Sequence, residues 1–163
     1  HKGKQLEWLP STVMTWEGWR ARFPEGRVLS KKTGYSRPYW RDNYRDYHDS
    51  PNLMFPVKGV REIPGLKPKS LVVGTVIDGR AAAFKVEDLP KGQPIQTRVG
   101  GTPVLILRDA DSDAVTFSRP ESGEWLPGTP AYWFAWSAFY PESDIWTAEL
   151  ASQATKAAAD DGG

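Results

Sequence analysis

The sequence predicts a strand-rich α+β domain: an antiparallel meander or partly closed barrel of about five strands, with two short tryptophan-rich helices related by an internal repeat. Three observations carry this reading. Fourteen prolines and fifteen glycines stand beside eight tryptophans in 163 residues, a composition of many turns and short, bulky elements rather than of a helical bundle. The stretch from Ser70 to Pro90, SLVVGTVIDGRAAAFKVEDLP, reads as two strands joined by the two-residue hairpin signal Asp78-Gly79. Finally, a unit near the N-terminus recurs near the C-terminus.

The repeat is legible without gaps. EWLPSTVMTWEGWRARFPEGRVL, from Glu7, lies over EWLPGTPAYWFAWSAFYPESDIW, from Glu124, at a constant offset of 117 residues with ten identities in twenty-three positions. Each copy offers a capping residue after Leu-Pro, and each must end its helix before Pro24 or Pro141, because the residue preceding proline is steered out of the helical region. Trp16 and Trp19 fall on one helical face with Phe23 a turn further on; Trp133, Trp136 and Tyr140 repeat the pattern. These six aromatics are expected to be structural core. A sheet-forming stretch precedes the second copy, whereas only six residues precede the first, so the sheet that the first helix would close is expected to lie outside this sequence.

The strands follow in order. After the Asp78-Gly79 hairpin, in which Ala81, Ala82 and Ala83 allow close packing, IQTRVGGTPVLILRD forms a second pair around Gly100-Gly101, and AVTFSR follows the polar turn DADSD. The helix near Tyr132 closes this meander. Residues 1–30 are read as the end of a first half-repeat, 31–65 as a long Tyr/Arg-rich connection, 66–146 as the second half-repeat, and 147–163 as a polar Ala-rich tail forming a short surface helix or a disordered end.

Connections as long as the one from Ser30 to Val57 are usually functional or interfacial. Tyr35, Arg37, Tyr39, Trp40, Arg41, Tyr44 and Tyr47 alternate there, a residue set that anchors protein interfaces. Asp42, Asp46 and Asp49 cancel Arg37, Arg41 and Arg45, which suits phosphate poorly, so nucleic acid is not expected. The same Arg and Asp residues also allow a structural wrap held by ion pairs. Along the whole chain, residues up to Lys69 carry fourteen Lys+Arg against seven Asp+Glu, and residues from Ser70 carry seven against thirteen. Packing of the two halves would neutralise that dipole.

Chemistry is sparse. The chain has no cysteine, so thiolate zinc sites, disulfides and thiol nucleophiles are excluded. Asp109, Asp111 and Asp113 alternate like the start of a calcium loop, but Ala114 stands where the turn glycine belongs and Pro120 where the bidentate glutamate belongs. His48 is the one internal histidine, and no G-x-S-x-G, phosphate-binding loop or G-x-G-x-x-G occurs. No catalytic residue, metal or cofactor is assigned. No apolar run reaches the length of a membrane span.

The runs LPSTVMTWEGWRARFPEGRVLSKKTGYSRPYWRDNYRDY, FPV, VVGTVIDGRAAAFKVEDL and YWFAWSAFYPESDIW resemble the bacterial and archaeal proteins grouped as domain of unknown function 3179, over about Leu6 to Trp146. The resemblance implies an exported, periplasmic or otherwise extracytoplasmic protein. It also implies a longer N-terminal side carrying a first half-repeat with a Cys-Pro-Leu-Cys-like motif, which this sequence lacks, and it supplies no catalytic residue. The expectation is a non-catalytic binding or accessory module whose partner is another polypeptide, either the missing half-repeat or a neighbouring subunit, and association with a membrane-bound complex is compatible with it. The competing expectation is an enzyme or small-ligand binder using carboxylates in a pocket between the half-repeats.

Overall fold

In the computed structural model, residues 2–4 and 9–151 are described. Among these residues, eight strands form two four-stranded sheets. The first helix, α1 (Trp16–Arg22), is followed by α2 (Arg45–Asp49), then strands β1 (Leu71–Ile77) and β2 (Arg80–Lys85) and a 3-10 turn over Val86–Asp88. Next come β3 (Ile95–Val99), β4 (Thr102–Arg108), β5 (Val115–Ser118), β6 (Trp125–Leu126), β7 (Thr129–Tyr132), α3 (Trp133–Phe139) and β8 (Asp144–Trp146).

The strand-rich α+β class expected from the sequence is the one observed. Its strands are divided differently. β3, β4, β5 and β6 form the antiparallel meander, while β1 and β2 leave it and join the order β7-β1-β2-β8, in which β8 runs parallel to β2. The sheets face each other without closing into a barrel. The hairpin signals act as read: Asp78 and Gly79 have φ of 50° and 77°, and Gly100 and Gly101 have 57° and 90°, the left-handed pairs that match strand twist.

Alternation along β1 sends Val73 and Ile77 into the space between the sheets, where, with Phe84 of β2, they meet Val99, Val104, Ile106 and Phe117 of the other sheet. Phe84 and Phe117 pack at 5.6 Å between ring centroids, in a tilted geometry that aromatic pairs favour. The alternate residues Val72 and Ala83 face α3 and pack with the buried Trp133 and Trp136. The alanines of β2 thus serve both faces, Ala82 between the sheets and Ala83 beneath the helix.

Close approach of α3 depends on Gly74, where a Cβ would lie 2.3 Å from the Trp136 ring. Trp136 Nε1 donates to Ser143 Oγ at 3.1 Å, and Trp133 Nε1 donates to the Arg61 carbonyl at 2.8 Å, so both indoles are satisfied inside the packing. Arg61 returns the tie by donating to the Pro141 and Ser143 carbonyls and lying over the Trp133 ring. One end of the connecting segment is thereby fastened to α3.

Helix α1 repeats the local geometry of α3. The residues before them, Thr15 and Tyr132, have φ, ψ of −63°, 152° and −73°, 147°; the residues after them, Phe23 and Tyr140, have −128°, 67° and −131°, 67°. Their surroundings differ. Trp133 and Trp136 are buried, but Trp16 is 57% exposed, Phe23 45% exposed and Trp19 half-buried, so the expectation that Trp16, Trp19 and Phe23 are core is corrected within this chain. Among the described residues no strand crosses the α1 tryptophans as β1 crosses Trp136. They stack on each other instead, with centroids 5.1 Å apart and planes 12° from parallel. The α1 segment is held elsewhere: Thr15 N–H donates to the Ser112 carbonyl at 2.8 Å, and Gly18 lies so close to Ser112 that a Cβ would fall 2.2 Å from its Cβ.

Residues 148–151 begin a helical turn, and the tail beyond them lies outside the described residues, as do Glu7 and Trp8 of the repeat.

Candidate functional site

The Tyr/Arg segment is built from tight turns. Arg41 N–H reaches the Pro38 carbonyl at 3.0 Å, Tyr39 OH pairs with Thr33 Oγ1 at 2.7 Å, and Asp42 Oδ1 accepts from Tyr44 N–H at 2.9 Å, as short polar side chains do in turns. One turn of helix, α2, then brings the chain back to the body. There Lys69 donates to the carbonyls of Tyr47 and Ser50, and its ammonium lies 3.9 Å from the Tyr47 ring centroid and 5.7 Å from that of Tyr132. His48 Nδ1 and Tyr132 OH form a 2.7 Å hydrogen bond.

This clasp separates the predicted partner-binding residues into two groups. Tyr47 is half-buried and spent on the Lys69 contact. Tyr35, Trp40 and Tyr44 are exposed at 76%, 81% and 59%, Tyr39 is exposed too, and Arg37 and Arg41 point into solvent beside them. The wrap held by Arg/Asp pairs is not what forms: among the described residues, none of Arg37, Arg41 and Arg45 makes an ion pair, and Asp42 accepts from its own loop backbone. Apolar exposure continues on the flanks at Leu29, Met54 and Phe55. Sequence reasoning missed His48, Lys69 and Tyr132 as the clasp. His48 and Tyr132 are 84 positions apart, and no local pattern joins them.

The acidic turn after β4 is held internally by Asp109. Asp109 Oδ1 accepts from Ser112 N–H at 2.7 Å and Ser112 Oγ at 2.6 Å, bonds that hold its carboxyl below the usual carboxylate range. Asp113 is held low chiefly by the Lys91 ammonium, with Arg108 adding to it against the cost of desolvation. Arg108 and Lys91 stand 2.9 Å and 2.8 Å from its Oδ1. Among the described residues no group of three His, Asp or Glu side chains converges as a metal site.

Two of the cavities that indent the domain lie beside the repeat helices. One of about 360 Å³ lies between residues 11–15 and the body, lined by Leu71, Val73, Val86, Val115 and the Arg108/Asp113 pair. The other, about 530 Å³, is an apolar groove along α3 beside Thr75, Val76, Trp136 and Phe139. The first is where a pocket between half-repeats was expected. Among the described residues Asp113 is its one carboxylate, already paired with two cations, and such a group is poorly suited to exchange protons near neutrality. No helix among the described residues is long and apolar enough to cross a membrane.

These features define a class: a two-sheet, strand-rich α+β domain with a clasped loop that displays Tyr, Trp and Arg side chains. The chain belongs to the family described as protein of unknown function (DUF3179), whose model matches residues 1–125. That match confirms the kinship read from the TW..W...FP and neighbouring motifs. No curated protein and no solved structure matches the chain.

Proposed function

We propose that this domain is a non-catalytic, extracytoplasmic binding or accessory module that docks another protein through Tyr35, Arg37, Tyr39, Trp40, Arg41 and Tyr44. The observation that carries the proposal is the exposure of Trp40, Tyr35 and Tyr44 on a loop whose base is fastened by Lys69, Tyr47, His48 and Tyr132. A loop fixed at its base presents large, stiff side chains at low entropic cost, and such residues dominate binding energy when a partner buries them. Exposed large aromatic side chains clustered on one loop mark interaction sites more than ordinary solvated loops.

Tyr47 belongs to the base and not to the contact surface. The extracytoplasmic location rests on the kinship alone.

The test is a paired purification from the native source of wild-type protein and of the double variant Trp40→Ala, Tyr44→Ala. The wild type is expected to retain one partner at fixed stoichiometry, and the variant to lose it with unchanged circular dichroism. Retention by the variant refutes the assignment.

A further inference from the structure

The charge of this chain is divided between its halves, and the fold leaves the division standing. Residues up to Lys69 carry fourteen Lys+Arg against seven Asp+Glu, and residues from Ser70 carry seven against thirteen. Packing of the halves could have neutralised this through ion pairs across their contact. Among the described residues, however, the five ion pairs all join side chains between Lys85 and Glu124, inside the acidic half. Cations of the basic half that touch the body find rings and carbonyls instead. Arg22 lies over Trp125, Arg61 over Trp133, and Lys69 over Tyr47 while it donates to the Tyr47 and Ser50 carbonyls.

The unpaired excess is concentrated in the loop. From Phe23, just after α1, to Arg45, which opens α2, there are six Lys+Arg and two Asp+Glu. Arg27, Lys31, Lys32, Arg37, Arg41 and Arg45 are all exposed, and among the described residues none of them makes an ion pair or lies over a ring. Turns gather these cations around the aromatic side chains. The bond between Thr33 Oγ1 and Tyr39 OH ties the chain next to Lys32 to the Tyr39 ring. Arg37 precedes, and Arg41 ends, the turn that Arg41 N–H closes on the Pro38 carbonyl, with Tyr39 and Trp40 inside it.

Two carboxylates decide which anion suits this surface. Asp42 lies between Arg41 and Arg45 in the chain, with one oxygen accepting from Tyr44 N–H at 2.9 Å, and Asp46 is exposed next to Arg45. A nucleic acid or an anionic bilayer carries phosphate along its whole face and would press like charge against both. A protein face sets its carboxylates singly and can turn donors toward Asp42 and Asp46. Guanidinium groups grip single carboxylates through two parallel hydrogen bonds, and four of the six cations are arginines.

We infer, building on the docking surface proposed above, that the partner meets this loop with an acidic protein face. Its Asp and Glu side chains pair with Arg37, Arg41 and Arg45 around Trp40 and Tyr44, which the contact buries. Arg27, Lys31 and Lys32 form the rim, where charge speeds encounter more than it holds the complex together.

The experiment immobilises the 163-residue chain and measures binding of three defined polyanions by surface plasmon resonance: a glutamate–tyrosine copolymer, oligothymidylate and phosphatidylglycerol vesicles. The loop variant is Arg37→Gln, Arg41→Gln, Arg45→Gln. A control variant, Lys67→Gln, Arg80→Gln, Arg98→Gln, removes the same charge from exposed positions elsewhere. Wild type is expected to bind the copolymer more tightly than either phosphate probe, and less tightly as salt rises. The loop variant should bind it about tenfold more weakly, and the control within about twofold of wild type. Equal loss in both variants, or no binding of the copolymer, overturns the acidic face. So does tighter binding of oligothymidylate or of the vesicles, which makes phosphate the ligand.

The loop variant also joins the paired purification. A partner lost by Trp40→Ala, Tyr44→Ala but kept by the arginine variant overturns the acidic face and leaves the docking surface standing. A partner kept by the Trp40→Ala, Tyr44→Ala variant refutes the docking surface itself, and the acidic face with it.

Discussion

Gly74 is the position where the packing of α3 can be tested most sharply. Replacing it with alanine puts a Cβ 2.3 Å from Trp136 Cη2 and Cζ3 and 2.4 Å from Cε3, where ordinary contact begins near 3.4 Å. The indole has little room to yield, because Tyr140 packs 4.4 Å from it and Ser143 holds its Nε1. Overpacking of this kind costs about 1–3 kcal/mol, whereas removing a strand glycine returns roughly 0.5–1 kcal/mol of backbone entropy. The net expectation for Gly74→Ala is a destabilisation of up to about 2.5 kcal/mol, a fall in Tm of up to roughly 5–10 °C for a chain of this size. In a Trp136→Leu background the ring atoms are gone, and the same substitution should be neutral or stabilising by up to about 1 kcal/mol. Urea unfolding of the four proteins gives the coupling directly. Equal destabilisation in both backgrounds, or none in either, refutes the close-packing argument.

The two repeat copies offer a second comparison. Trp133→Ala should cost about 3–5 kcal/mol, as large-to-small changes in a core do, while its counterpart Trp16→Ala in this chain should cost under about 1 kcal/mol, because Trp16 is 57% exposed; chemical denaturation of both variants checks the asymmetry. Acid stability should depend on Asp113. Its carboxyl titrates below its ordinary value because of Lys91 and Arg108, so its contribution is complete above about pH 3.9 and is lost as pH falls through the lower folded value. The Tm gap between wild type and Asp113→Asn should therefore close below about pH 3.9, and a gap constant down to pH 2 would contradict the pairing. Lys85 behaves in the opposite sense. Its ammonium is raised chiefly by Glu87, with Asp88 assisting against burial, so the stability it adds is complete below about pH 10.4 and disappears as pH rises further, which a Tm series with Lys85→Met would register.

Local chemistry was legible wherever the physics is local. The Asp78-Gly79 and Gly100-Gly101 turns, the helix stops before Pro24 and Pro141, the close packing allowed by the alanines of β2 and the shared geometry of α1 and α3 all follow from residues a few positions apart. The sequence also marked Tyr35 to Tyr47 as unusual, since nothing periodic could bury so many aromatic residues together.

The tertiary structure decided what depends on distant partners. Pairing of β2 with β8 in parallel divides the strands into two sheets, and that register is set by residues some sixty positions apart that no turn signal connects. The clasp of Lys69, His48 and Tyr132 sets the Tyr47 ring beneath the Lys69 ammonium, a contact that no local pattern in the sequence announces. Most plainly, the sequence by itself assigned the same stripe to Trp16 and Trp133, because periodicity records which face is apolar and not whether anything covers it. Only the assembled sheet, with Gly74 under Trp136 and no counterpart over Trp19 among the described residues, separates the buried copy from the open one.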